Sequence, residues 1–147
     1  MRPAPRTAVV AEPPAQYLAR PPTVVDCSMV CAVLFDEPGR DEAERLMSGR
    51  RLLAPSLLNH EFVNVALKKL RGNMPEAVVR RALADYAEHD IELVPTTPAP
   101  AFELSLRYTL SAYDAAYLQL AAELRVPLLT FDRRLGKAAQ ACLGALK

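Results

Sequence analysis

Residues 23–35 read Thr23-Val24-Val25-Asp26-Cys27-Ser28-Met29-Val30-Cys31-Ala32-Val33-Leu34-Phe35, and the fold class turns on the change of pattern inside them. A short β-branched run from Thr23 stops at Asp26, and a helical run from Cys27 to Phe35 begins directly after it. Val24 and Val25 show no polar alternation, which marks a strand covered on both faces, as strands of parallel sheets are. The same order recurs downstream. Arg51-Leu-Leu-Ala54, Ile91 to Val94 and Pro127 to Phe131 read as further strands. Between them lie helical patterns at Asp41 to Met47, Ser56 to Arg71, Pro75 to His89, Ala101 to Leu110 and Ser111 to Leu124, with a last one from Arg133 to about Ala141. Pro95, Pro98 and Pro100 are read as turning the chain ahead of the helix at Ala101. Short apolar strands separated by helices predict βαβ units: an open three-layer α/β/α sandwich with a mostly parallel sheet. Residues 142–147 are short and interrupted by Gly144, and are not read as a strand.

Composition narrows the function classes without choosing one. The 147 residues suit one domain, and a mean hydropathy of +0.03 with 51% hydrophobic residues excludes wholesale disorder and fibrous repeats. Six of the 13 prolines fall in residues 1–22, a segment that propagates neither helix nor ladder and is read as a disordered tail before a domain spanning 23–147. A genuine tail and an overextended start look alike in the sequence. Three cysteines, with Cys27 and Cys31 spaced C-x3-C, form neither a disulfide framework nor a zinc knuckle and point to a reducing cytoplasm. No run approaches the ~20 apolar residues a bilayer span needs. Lys plus Arg number 18 against 17 Asp plus Glu, a net charge of +1, which excludes a uniformly basic nucleic-acid binder.

Chemistry is carried by four acids. Open α/β sheets bind ligands beyond the carboxyl ends of their strands. Asp26 ends the first strand and Asp132 follows the last. Either one, taken alone, is better read as a helix N-cap. Asp114 lies in Ser111-Ala-Tyr-Asp114, the spacing of a capping box. Glu61 is different: Leu57, Leu58 and Val65 flank it at helical spacing, so it projects from the apolar stripe, where an ionised carboxylate needs a partner. Taken jointly, four carboxylates meeting in one crevice repel each other unless cations intervene. Mg2+ or Mn2+ would relieve that repulsion, and such ions activate water for phosphodiester hydrolysis. His60 and His89 belong to no recognisable nucleophile motif, and neither a Walker A loop nor G-x-G-x-x-G is present.

Val24-Val-Asp26-Cys-Ser28, Ala54-Pro-Ser-Leu-Leu-Asn-His-Glu61-Phe-Val-Asn64, Ser111-Ala-Tyr-Asp114-Ala-Ala-Tyr117 and Leu129-Thr130-Phe-Asp132-Arg-Arg-Leu135 together resemble the PIN-domain family, and within it the VapC-type ribonuclease toxins. The resemblance runs from Thr23 to about Ala141. It implies an endoribonuclease dependent on Mg2+ or Mn2+, held in check by a VapB-type antitoxin and often a homodimer. Carried onto this chain, it makes Asp26 and Asp114 the primary metal ligands. Glu61 and Asp132 complete the site directly or through water, with Ser28 and Thr130 as supporting hydroxyls. Arg133 and Arg134 are the candidate RNA-binding cations, while Lys68, Lys69 and Arg71 are read as a solvated helix face. Antitoxin contact is expected around Val33, Leu34, Phe35 and Leu46. The chain departs from the family in its Pro-rich start and in the reduced last strand.

Two other readings stand beside this one. A receiver-like signalling domain also binds Mg2+ in an acidic pocket, but it needs a phospho-accepting Asp after a middle strand, and Ile91 to Val94 runs into Pro95 instead. A non-catalytic RNA-binding module of the same fold is disfavoured by the presence of all four acids. If those four are neutralised locally, the 17 acidic residues fall to 13 against 18 basic ones, a surplus of +5 that suits an RNA partner.

Overall fold

The strand that opens the domain is β1 (Pro22–Val25), and its last three residues are fully buried. The computed structural model describes residues 19–147. Most of the predicted tail therefore lies outside the described residues; of the rest, Pro22 already belongs to β1. Proline is tolerated as a first strand residue because no ladder donor is needed there. The remaining strands are β2 (Arg51–Pro55), β3 (Ile91–Val94) and β4 (Leu128–Leu129), and they form one parallel sheet in the order β3-β2-β1-β4.

That order positions the site. From β1 the chain steps outward to β2 through α1 (Cys27–Leu34) and α2 (Arg40–Met47), then to β3 through α3 (Leu58–Arg71) and α4 (Glu76–Glu88). It returns through α5 (Pro98–Tyr108) and α6 (Ala112–Leu124) to β4, on the other side of β1. Parallel crossovers are right-handed, so helices of the outward steps and helices of the return cover opposite faces. Packing agrees: α1 contacts α2, α3 and α4, and α3 contacts α4, while α6 lies on β1, β2 and α5. The strand order reverses between β1 and β4, which opens a crevice beyond their carboxyl ends.

The core explains why these segments fold as they do. Val24, Val25, Leu53 and Ala54 bury both faces of the two central strands, and Met29, Leu58, Phe62, Leu118, Leu120 and Leu135 close over them. In α6 every residue from Ala115 to Ala121 is buried. A helix enclosed on all sides needs no polar face, hence its small-residue, apolar run. Phe62 stacks between Phe35 and Tyr86, with ring centroids 5.5 and 4.4 Å away.

Several boundaries differ from expectation. α5 begins at Pro98, three residues early, with Pro98 and Pro100 inside its first turn. A helix's first N–H groups have no internal partner, so proline costs nothing there. Residues 56 and 57 form a turn before α3 rather than its opening. β4 is only two residues long, and Thr130 just beyond it donates its hydroxyl to Asp26. α7 (Arg133–Gly144) absorbs Cys142 and Gly144, and among the described residues no strand follows it. β3, at the sheet edge, ends in Val94-Pro95 without an acid, as a receiver's phosphorylation strand does not.

Candidate functional site

Asp26 lies at the floor of the crevice, where β1 ends and α1 begins. Its N-cap role is real: Oδ1 accepts from Met29 N at 3.2 Å. The same carboxylate also accepts from Ser28 Oγ at 2.6 Å and, through Oδ2, from Thr130 Oγ1. These two hydroxyls are tied to the loop beyond β4. Ser28 Oγ accepts from Phe131 N at 3.0 Å, and Thr130 Oγ1 accepts from Asp132 N at 2.9 Å. Each hydroxyl thus has its proton committed to Asp26 and a lone pair committed to a backbone N–H, which fixes both rotors. The loop is held from outside as well. The Phe131 ring packs on Gly39, where a Cβ would stand 3.0 Å from Cζ, and Gly39 has a φ of 95° that disfavours any other residue.

Asp114 enters from the first turn of α6, where Ser111 Oγ accepts from its backbone N at 3.1 Å. Asp132 caps α7 through a 2.8 Å bond from Leu135 N. It is exposed at the rim, close enough for its charge to raise the Asp114 pKa. Glu61 comes from the first turn of α3, half-buried beside α6. The crevice thus unites Asp26, Glu61 and Asp114, with Asp132 at its edge.

Electrostatics describe a site holding more negative charge than its surroundings favour. Burial raises the Asp26 pKa, the bonds from Ser28, Thr130 and Met29 pull it back, and the Asp114 charge raises it again. Burial likewise raises Glu61, with further increments from Asp114 and Asp26. Asp114 is raised by burial and then by Asp132, and lowered by Ser111 and by the Arg134 guanidinium. Arg134 therefore stands beside the acids, whereas Arg133 is exposed at the start of α7. Lys69 is not a solvated cation: it pairs with Glu37 and lies 5.4 Å from the Phe35 ring centroid.

Do these residues fit a divalent cation? Among the described residues no group of three or more His, Cys, Asp or Glu side chains converges into a closed ligand set. Asp26 explains this in part, since both its oxygens are turned to hydroxyl and backbone donors. The donor chemistry nevertheless fits Mg2+, which takes hard oxygens and keeps several waters beside one or two carboxylates. Glu61 Oε1 is buried and without a hydrogen-bond partner, an orphaned acceptor of the kind a cation or its water satisfies. A residue that the motif reading left without a role is Tyr117. It is 1% exposed, and its hydroxyl also lacks a partner. It stands near enough to Glu61 to lower that carboxylate's pKa, yet not in a hydrogen bond of ordinary geometry.

Cys27 and Cys31 lie under the site with sulfurs 3.6 Å apart. The contact with the Cys31 thiol and then burial push the Cys27 pKa up, and Cys27 is buried, as a structural core thiol is. Residues four apart on a helix keep their Cβ atoms ~5–6 Å apart, beyond the reach of an unstrained disulfide. No described helix is long and apolar enough to cross a membrane.

Comparison with known proteins adds relatives to this geometry. A family model described as PIN domain matches residues 23–141. VapC ribonuclease Mb0985 of Mycobacterium bovis is 33% identical over 120 residues, covering 80% of this chain and 91% of that protein. Ribonuclease VapC3 of Pyrobaculum aerophilum is 32% identical over 120 residues, covering 78% and 92%. Among solved structures, PAE2754 from Pyrobaculum aerophilum superposes with a TM-score of 0.64 over 86% of this chain and 96% of its own, at 20% identity. That last likeness concerns the fold alone.

Proposed function

The chain belongs to the PIN-domain family, with VapC ribonucleases among its relatives, and from that premise we propose that it is a Mg2+- or Mn2+-dependent endoribonuclease, the toxin of a toxin–antitoxin pair acting in the cytoplasm. What supports this reading is that Asp26, Glu61 and Asp114 lie near enough to feel neighbouring charge: each has its pKa raised by burial and also by the charge of a nearby acid. Such crowding is costly without a cation and productive with one. Asp26 and Asp114 are the proposed metal ligands, with Glu61 and Asp132 completing the shell. When bound, the divalent cation supplies an activated water and neutralises charge at the phosphodiester.

The chain's own residues do the rest. Ser28 and Thr130 hold Asp26 in one rotamer, so a cation meets its remaining lone pairs in a fixed direction. Arg134 offers a guanidinium beside Asp114 to take a phosphate oxygen of the RNA. Exposed Arg133 extends the same positive edge.

For the antitoxin, Val33 and Leu34 line a cleft of about 660 Å3 between α1, α2 and α4, apart from the acids and ringed by Arg40, Glu44 and Asp85. An apolar floor with charged walls suits an amphipathic partner helix. Phe35 drops out of the expected surface because it is buried in the aromatic stack, and Leu46 lines a different cleft beside β4. Homodimerisation belongs to the same reading, and exposed Phe102 and Leu106, one turn apart on α5, offer apolar surface for it.

The deciding experiment is RNA cleavage by the purified chain with Mg2+ or Mn2+ against EDTA. Cleavage is expected only with metal, and Asp114→Asn is expected to lower it at least ~100-fold, since losing a ligand forfeits part of the several kcal/mol a catalytic metal supplies. Equal cleavage in EDTA, or by the variant, would sink the reading. Arg134→Ala is expected to weaken RNA binding about ten-fold, a charge-assisted bond being worth ~1.5–3 kcal/mol. It should also reduce the salt dependence by about one counterion without weakening Mn2+ binding; a weakened Mn2+ affinity with unaltered RNA binding would remove Arg134 from the RNA surface.

A further inference from the structure

We propose that Tyr117 is the positioning residue of the acidic site: its hydroxyl, unpartnered in the structure, is the donor for one lone pair of Glu61 Oε1 and turns that carboxylate toward Asp26 and Asp114, leaving the remaining lone pairs to the divalent cation. The inference rests on the metal-site reading above.

Complementarity of orphaned atoms carries the argument. Three buried side-chain atoms among the described residues lack a hydrogen-bond partner: Glu61 Oε1, Tyr117 Oη and Gln119 Oε1. A carboxylate and an amide oxygen only accept; of the three, Tyr117 alone brings a proton. Gln119 is two residues from Tyr117 on α6, on another side of the helix, and its amide nitrogen is occupied with Thr97 and Glu123. The Tyr117 hydroxyl and the Glu61 carboxylate therefore answer each other and nothing else in this set. Their mutual influence on ionisation, each side chain altering the other's pKa, agrees with that pairing.

Helix phase explains why the position is useful. Tyr117 lies three residues after Asp114 and so shares its face of α6, one turn deeper under the crevice. Ala115, Leu118, Leu120 and Ala121 lock α6 against the strands, so the Tyr117 ring, 1% exposed, has little freedom. Glu61 is half-buried and has more rotatable bonds. A rigid donor beneath a flexible acceptor sets the acceptor's direction, the role that outer hydrogen-bond partners play for metal ligands. Phenylalanine would fill the same space and lose this function.

The test compares wild type, Tyr117→Phe, Glu61→Leu and the double variant in two measurements made without RNA. Mn2+ titration by electron paramagnetic resonance is expected to show Tyr117→Phe binding about ten-fold more weakly than wild type, with no further loss when it is added to Glu61→Leu. In EDTA, Tyr117→Phe is expected to melt at a lower temperature than wild type and to cause no such drop in the Glu61→Leu background. Wild-type Mn2+ affinity together with a raised melting temperature is what deleting an idle core hydroxyl produces, and that result would overturn the proposal. So would losses of equal size in both backgrounds. If wild type itself binds no Mn2+, the metal-site reading fails, and the melting cycle still decides the pair: coupling between the two substitutions supports it and additivity overturns it.

Discussion

Asp26→Asn is expected to abolish metal-dependent RNA cleavage, by at least ~1000-fold, while making the metal-free protein more stable at neutral pH. The first effect follows from the depth of Asp26: it is 5% exposed at the floor of the crevice and held by Ser28, Thr130 and Met29. Several kcal/mol of transition-state stabilisation from a metal correspond to about three powers of ten in rate. The second effect has the opposite sign because the folded-state pKa of Asp26 is raised above its ordinary 3.8, chiefly by burial. The stability associated with the neutral acid is fully present below 3.8 and is lost as pH rises through the raised folded value. Asn is uncharged throughout and caps a helix as well as Asp does. The variant's advantage in melting temperature in EDTA should therefore be negligible near pH 4 and grow toward pH 8. Relief of Glu61 and Asp114 adds in the same direction, since the Asp26 charge acts on Glu61 and is acted on by Asp114. Saturating Mn2+ should erase the advantage by stabilising wild type alone. A variant less stable than wild type at pH 8 in EDTA would show that the hydrogen bonds to Asp26 outweigh its burial.

What made Asp26 readable in the sequence is that its environment is local. The β-branched run stops at Val25 and helical spacing starts at Cys27, so the residue between them stands at a strand's carboxyl end whatever the rest of the chain does. The parallel sheet was legible for the same reason, because strands covered on both faces lose their alternation. Glu61 could be flagged from Leu57, Leu58 and Val65 around it, but the residue that faces it could not be identified. α6 is buried on every side from Ala115 to Ala121, so periodicity offers no phase by which to single out Tyr117. The start of α5 was misplaced because prolines that break a helix interior are harmless in its first turn. The Phe131–Gly39 contact joins residues 92 positions apart and leaves no local pattern at either end.

Phe62→Ala is expected to produce the reverse of Asp26→Asn, a large loss of stability with the chemistry retained. Phe62 is fully buried, neighbours Glu61 on α3, and stacks 4.4 Å from Tyr86 at an interplanar angle of 10° and 5.5 Å from Phe35. Truncating a buried Phe to Ala costs about 3–5 kcal/mol in transfer and cavity terms. Domains of this size have only ~5–15 kcal/mol in total. The stack joins the C-cap of α1 to α3 and α4, and Tyr86 Oη also donates to Asn59 Oδ1 at 2.7 Å, so the cavity cannot close without moving the first turn of α3. Urea unfolding should show a lower midpoint with an unchanged slope. The acids themselves are untouched, so saturating Mn2+ should recover ~2.7 kcal/mol at a hundred times its dissociation constant and restore cleavage in the folded fraction. A loss below ~1 kcal/mol would mean the site's scaffold lies elsewhere. Full stability loss with no recovery on adding Mn2+ would mean that α3 carries Glu61 out of the site when its aromatic support is removed. Because the two substitutions move stability in opposite directions and only Asp26→Asn removes the chemistry, the pair separates residues that hold α3 in place from residues that the cation needs.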